Sequence, residues 1–161
     1  MTTLVDKRTI LKAITIVQPW ASLIMLGLKR WETRSWRTSL RGPLLIHAGA
    51  TIDHDAIAEL PWRAQRELLR ARRLPTGAIL GVAWVEDVMA GQVAVELEPG
   101  QAPYGNFGDG RFAWRISAVK PVRPVMGVRG QQGLWNYAAL PDVVAAARAL
   151  ELGSKDDLDL A

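Results

Sequence analysis

The chain has 161 residues, the size of one domain with a core of its own, and it contains no cysteine. That absence excludes disulfide bonds, thiolate-bound zinc or iron–sulfur sites and a cysteine nucleophile, and it is typical of a reducing compartment such as the cytoplasm. Two histidines are too few for a multi-histidine metal site, so we expect neither a metal nor an organic cofactor. The chain begins without a signal-peptide pattern and has no apolar run of membrane-spanning length, so we expect no membrane partner.

Charge is distributed unevenly along the chain. The formal net charge is +4, with −3 over residues 151–161 and +7 over the first 150 residues. Fifteen of the twenty basic residues are arginine, whose planar guanidinium pairs with phosphates and stacks on bases. The composition favours a polyanionic partner, although a basic surface also serves solubility alone.

The first third of the chain alternates strands with one short helix. Residues 13–17 alternate and are rich in β-branched side chains, which predicts a strand. Pro19 is placed to open a helix that ends at Gly27. Two further strands are predicted over residues 29–36 and 44–48.

The remainder is predicted to hold two helices, two strands and a long loop before the C-terminal region. Asp53 is suited to cap a short helix, and a second helix is expected with Leu68 and Leu69 inside. The predicted segments are a helix over 62–74, a strand over 79–88, a loop over 91–110, a strand over 111–119 and irregular structure over 121–133.

This pattern predicts an α+β protein that is mainly β. Five or six strands with few helices between them favour a small closed β-barrel with helices at its rim. We expect residues 1–140 to form that domain and residues 141–161 to form a terminal helix and an acidic, solvated tail.

Several short motifs in a fixed order carry a resemblance to a known family. They are Gln18-Pro19-Trp20-Ala21-Ser22, then Gly27 to Trp36 with a G-x-K-x-x-E-x-R spacing, Arg41-Gly42, Leu80-Gly81, Glu86-Asp87-Val88, Arg111-Phe112-Ala113-Trp114 and Gly130 to Trp135. In these motifs the chain resembles the ASCH (activating-signal-cointegrator homology) family, a branch of the PUA-like superfamily. The resemblance implies a PUA-like β-barrel, a cleft lined by the motif, and a nucleic-acid or nucleotide-like ligand.

The motif brings complementary chemistry to one cleft. Side chains alternate along a strand, so Glu32, Arg34 and Trp36 share a face, and Lys29 must reach that cleft from the turn after Gly27. Arg34 can fork a phosphate or a base edge, and Glu32 can accept from an exocyclic amine. The ligand-binding prediction therefore comprises a set of six residues: Lys29, Glu32, Arg34, Trp36, Arg37 and Ser22.

The roles of the aromatic and polar neighbours remain open at this point. Trp36 or Trp31 can stack on an unpaired base, and Arg37 with Lys29 and Arg34 can contact phosphate. Ser22 either bonds within its own helix or faces the cleft. By contrast, Trp20, Trp84 and Trp114 lie in apolar patterns that predict core positions.

Three functions are compatible with these residues. We expect a module that binds RNA or single-stranded DNA, or a modified nucleotide. The alternative is a small hydrolase acting on RNA or on N4-acetylcytidine, because some small members of the family are amidohydrolases with a K-x-x-T-x-R motif. In this chain Glu32 occupies the position of that motif's nucleophilic threonine, and Thr33 is one residue away. A hydrolase of this kind would therefore need a water molecule as nucleophile, activated by Glu32, with Lys29 or Arg34 stabilising the developing oxyanion. A protein-interaction adaptor is the third.

Other polar features have a plain structural interpretation beside a functional one. Arg63, Arg66, Arg70 and Arg73 recur at helical spacing and form either a solvated face or a phosphate-tracking stripe. His47 is predicted to be a hydrogen-bonded core histidine.

Overall fold

The structure is a computed structural model that describes residues 9–159, with side chains described as far as residue 154. The elements in chain order are β1 (Thr9–Gln18), α1 (Trp20–Met25), β2 (Trp31–Arg34), β3 (Gly42–Ile52), α2 (His54–Glu59), α3 (Trp62–Arg70), β4 (Ala78–Ala90), α4 (Gly91–Leu97), a 3₁₀ helix (Pro99–Tyr104), β5 (Phe112–Met126), β6 (Leu134–Ala139) and α5 (Pro141–Asp159).

The strands form a single mixed sheet in the order β2-β5-β4-β3-β1-β6. Only β1 and β3 run parallel, and the other described pairs are antiparallel. The outer strands β2 and β6 are not paired with each other, so the prediction of a closed barrel is wrong. The mainly-β, α+β class with helices at the sheet is confirmed.

Apolar residues cover both faces of the sheet. On one face, α1 packs on β1, β3, β4 and β5 through a core that includes Ile24, Ile46 and Trp114. On the other face, α5 contributes Val143 and neighbouring alanines to a second core. Alternation along the central strands supplies both sets, because successive side chains point to opposite faces.

The predicted loop over residues 91–110 is largely helical, which corrects the sequence interpretation. Residues 91–97 form α4 and residues 99–104 form the 3₁₀ helix. The count of glycine and proline residues suggested a loop, but Ala94 is buried against Trp31 and Phe107. Tertiary packing therefore overrides the weak local propensity of this segment.

Two element ends also differ from expectation. β5 continues through Pro121 to Met126. Pro121 has no backbone N–H to donate, and it lies opposite a register shift in β4 between Ile79 and Gly81. Irregular pairing of this kind tolerates a proline within a strand. Helix α3 ends at Arg70, because Arg72 adopts a left-handed backbone conformation (φ 59°). Leu68 is buried as predicted, whereas Leu69 is 78% exposed.

The C-terminal region is a helix rather than a tail as far as Asp159, and the last two residues of the predicted tail lie outside the described part of the chain. Over residues 9–159, no helix is both long and apolar enough to cross a membrane. Nor do the described residues include a cluster of three or more potential metal-ligating side chains.

Candidate nucleotide-binding pocket

A cavity of about 630 Å³ lies between β1 and β2. Its walls come from β1, from β2 with the residues on either side of it, and from the 3₁₀ segment. β1 and β2 are not neighbours in the sheet, so the cavity occupies the gap between them. The residues lining it are Thr15, Ile16, Val17, Trp20, Lys29, Glu32, Thr33, Arg34, Ser35, Trp36, Asp53, Pro103, Tyr104, Gly105, Asn106 and Arg111. A volume of this size is within the range of small-molecule sites.

Glu32 and Arg34 cross the gap from β2. The Arg34 Nη2 atom donates to the Thr15 carbonyl oxygen of β1 at 2.9 Å, so a side chain links the two strands where no backbone ladder does. Arg34 Nη2 also lies 3.6 Å from Glu32 Oε2. Glu32 is buried; its Oε1 accepts from the Thr33 backbone N–H at 2.9 Å, but its Oε2 has no hydrogen-bond partner. Glu32 lines the cavity, so this buried oxygen is an acceptor without a hydrogen-bond partner at the cavity wall.

Lys29 reaches the same pocket from the turn that Gly27 makes with φ +75°. The Lys29 side chain is only 3% exposed, and its ammonium lies 3.8 Å from Glu32 Oε1 and donates to the Tyr104 carbonyl oxygen. Burial lowers the pKa of Lys29, because desolvation penalises the charged ammonium, while the nearby Glu32 carboxylate opposes that shift. The structure thus brings Lys29, Glu32 and Arg34 together as the motif predicts.

The Gln-Pro-Trp motif holds helix α1 against this pocket. The Gln18 amide accepts from the Ser22 backbone N–H at 3.0 Å and donates to the Ser22 hydroxyl at 2.8 Å and to the Pro75 carbonyl at 2.8 Å. The Ser22 hydroxyl is therefore bonded to Gln18 at the end of β1, not within its own helix, and Ser22 does not line the cavity. Trp20 was predicted to be core, but its half-buried ring lines the cavity, with Lys29 Nζ 5.6 Å from the ring centroid.

The 3₁₀ segment fixes the backbone that carries Lys29. The buried Gln101 amide accepts from the Arg30 backbone N–H at 2.8 Å and donates to the Leu28 carbonyl at 3.0 Å. Glu98, just before that segment, forms an ion pair with Arg30 at 2.6 Å and accepts from the Trp31 indole at 3.2 Å. Sequence reasoning did not assign this support, because the segment was interpreted as a loop.

Of the other aromatic and basic residues predicted to contact a ligand, Trp36 lines the cavity, whereas Trp31 and Arg37 do not. Trp36 lines the cavity and packs edge-on against Trp114 with ring centroids 4.8 Å apart. Trp31 is completely buried, so the alternative that it stacks on a base is wrong. Arg37 is exposed and lies over the Phe112 ring at 4.8 Å, outside the residues that line the cavity.

Sequence reasoning missed Arg111 as a member of the site. Its Nη2 donates to the Thr33 carbonyl at 3.1 Å, and its buried Nε has no hydrogen-bond partner. The sequence did contain a clue to this role, because Arg111 is the first residue of the Arg111-Phe112-Ala113-Trp114 motif. Its approach to Lys29 depends on the pairing of β2 with β5, which a single sequence does not reveal.

Thr15 anchors the opposite wall through its hydroxyl. This oxygen lies 3.3 Å from the Gln131 backbone nitrogen and 3.1 Å from the Trp135 indole nitrogen, which can only donate. Thr15 therefore donates its own proton to His47 Nδ1 at 3.1 Å, and His47 Nε2 donates to the Val128 carbonyl at 2.7 Å. His47 is the hydrogen-bonded core residue that the sequence predicts.

Comparisons with known proteins agree with this architecture. Residues 14–121 match the family model of the ASCH domain. The chain belongs to the ASCH domain family. Activating signal cointegrator 1 of Mus musculus and that of Homo sapiens are each 37% identical to it over 84 residues, a stretch that is 48% of this chain and 14% of the relative. The matched part of these relatives is therefore a small share of their length.

Solved ASCH structures share the fold. The ASCH protein of Zymomonas mobilis superimposes with a TM-score of 0.53 at 15% identity, covering 86% of this chain and 94% of that one. A serine-to-alanine mutant of the same Zymomonas mobilis protein gives a TM-score of 0.52 at 16% identity, covering 90% and 97% of the two chains. At this level of identity the likeness shows the fold alone.

Proposed function

We propose that this ASCH domain binds single-stranded nucleic acid, or a modified nucleotide, by taking an amine-bearing base into the pocket between β1 and β2. The observation that carries the proposal is the free Oε2 of the buried Glu32 carboxylate beside the Arg34 guanidinium. A carboxylate accepts from an exocyclic amine such as that of cytosine. Trp20 and Trp36 supply aromatic surface for the base in the same cavity.

The cations of the pocket suit the phosphate of such a ligand. Arg34 is about one-quarter exposed, and Arg111 has one buried N–H without a partner. A guanidinium binds phosphate oxygens through two parallel hydrogen bonds. Lys29 is already engaged with Tyr104 and Glu32, so we assign it to holding the acid rather than to the phosphate.

Titration of labelled oligonucleotides tests the proposal. We expect oligocytidine to bind more tightly than oligouridine, with affinity that falls as salt rises. Glu32→Gln should weaken oligocytidine binding about tenfold, the scale of one hydrogen bond to a base edge, and should reduce the preference over oligouridine. Glu86→Gln is the matched control, because Glu86 is an exposed acid on β4 whose ion-pair partner is Arg115.

Two outcomes would reject this function. One is that the wild-type domain binds no RNA or DNA at low salt. The other is that Glu32→Gln behaves like Glu86→Gln on both oligonucleotides while both variants retain the wild-type unfolding midpoint.

A hydrolase is the second candidate, and the lowered pKa of Lys29 favours it. A buried lysine with a depressed pKa is typical of catalytic bases and nucleophiles. The substrate class would be an acylated cytidine such as N4-acetylcytidine, hydrolysed by water to cytidine and acetate. We expect Lys29→Met to abolish any turnover. If the wild-type protein binds N4-acetylcytidine but releases no acetate, the hydrolase candidate is rejected and only the binding function remains.

A further inference from the structure

Helix α3 presents a basic and aromatic surface that the pocket does not use. We define the α3 face as Trp62, Arg63, Arg66, Arg70 and, just beyond the helix, Arg73. Residues 62–73 contain five arginines and one acid, so this short segment alone has a net charge equal to that of the whole chain. Arginines clustered along one helix are the electrostatic pattern expected of a surface that contacts a polyanion.

The arginines of this face are mostly free of acidic partners. Glu67 lies 3.4 Å from Arg70 in an exposed pair of modest energetic value. Arg63, Arg66 and Arg73 are exposed and form no ion pair within the described part of the chain. Their guanidinium groups are therefore available to an incoming polyanion.

An exposed tryptophan gives the surface a second kind of contact. Trp62 is 70% exposed at the first position of α3, and the Arg66 guanidinium lies 5.6 Å from its ring centroid. A large aromatic ring left in solvent beside a cation is the arrangement that stacks an unpaired base. An acidic peptide would use the charges of this face but would not need the ring.

Helix α3 packs on an apolar cluster that reaches the wall of the pocket. Trp20, which lines the cavity, packs on the same cluster as Leu60 and as Ala64 and Leu68 on the inner side of α3. Asp53, also in the cavity lining, caps α2, and α2 leads through two residues to Trp62. Six helical residues advance about 9 Å, so the face starts a short distance along the chain from the cavity.

From these observations we infer that the α3 face is a second contact surface for the same strand, extending binding beyond the nucleotide in the pocket. This inference depends on the proposed function. Successive arginines advance along α3 by about 4.5 and 6 Å, from Arg63 to Arg66 and from Arg66 to Arg70, which allows them to follow a phosphate backbone. Trp62 stacks on one base outside the pocket.

Oligocytidines of 4 and 15 nucleotides separate the two surfaces. We expect the triple variant Arg63→Gln/Arg66→Gln/Arg73→Gln to bind the 15-mer at least tenfold more weakly at 50 mM KCl. The slope of log affinity against log salt should become shallower by about 2, at about 0.7 for each phosphate that the variant no longer neutralises. Binding of the 4-mer should change less than threefold. Trp62→Ala should weaken the 15-mer about tenfold with an unchanged salt slope.

The control removes equal charge elsewhere. Arg123→Gln/Arg129→Gln/Arg148→Gln replaces three exposed arginines outside the cavity lining, and we expect a smaller loss that is the same for both lengths. If the α3 triple variant matches this control on the 15-mer, the inference is overturned although the pocket function stands. If the wild-type protein binds neither oligonucleotide, the proposed function itself fails.

Discussion

At the scale of single residues, the pocket gathers more buried charge than its own side chains neutralise. Lys29 and Arg34 each form an ion pair with Glu32, Arg111 lies near Lys29, and the second Glu32 oxygen accepts no hydrogen bond. Burying charged groups is costly unless each gains a partner. In the proposed function, an amine-bearing, anionic ligand places a donor beside that acceptor and balances part of the excess positive charge.

The depressed pKa of Lys29 makes stability depend on pH in a defined direction. In the unfolded chain the lysine titrates near its ordinary value of about 10.4, and in the folded chain it titrates lower because it is desolvated. Between those two values the unfolded state binds more protons, so the Lys29 contribution to the free energy of unfolding rises with pH. Lys29→Met removes that contribution.

Urea unfolding at pH 7, 8.5 and 10 measures this effect. We expect the wild-type protein to gain stability relative to Lys29→Met as pH increases. The exposed Lys12 provides the matched control, since Lys12→Met should leave the difference from wild type constant. The assigned burial of Lys29 would be contradicted if the free energy of unfolding of the wild type, relative to that of Lys29→Met, stays constant or decreases from pH 7 to pH 10.

At the scale of elements, local rules predicted the site better than they predicted its surroundings. Alternation along β2 placed Glu32 and Arg34 on one face, and the turn at Gly27 brought Lys29 to them. Those relations span only the eight residues from Gly27 to Arg34. Strand β1, the helix α1 and the capping role of Asp53 were also readable from short patterns.

Features that depend on contacts between residues far apart in the sequence could not be predicted from such local patterns. Trp31 and Trp36 lie in the same basic stretch, but only Trp36 reaches the cavity, because Trp31 packs beneath α4. Arg111 joins the site through the pairing of β2 with β5, and the 3₁₀ helix supports it through Gln101. Each relation joins residues about 60 or more positions apart, where one sequence provides no constraint.

At the scale of the whole molecule, the gap between β1 and β2 is the feature on which the proposed function depends. β2 and β1 face each other across a gap bridged by the hydrogen bond from Arg34 to Thr15, and the cavity fills that gap. Both sides of β1 are already paired, with β3 and β6, so this gap is spanned by side chains and not by a backbone ladder. The register shift in β1 between Ile16 and Gln18 lies at the same gap, as bulges beside binding sites often do.

A crystal structure of the domain with a bound cytidine-containing oligonucleotide is the most direct test of this account. We predict one base inside the gap, with its exocyclic amine 2.7–3.2 Å (about the ordinary hydrogen-bond range) from Glu32 Oε2 and its ring against Trp20 or Trp36. Oligonucleotide bound at full occupancy elsewhere on the surface, with the gap between β1 and β2 free of any nucleotide, would contradict it.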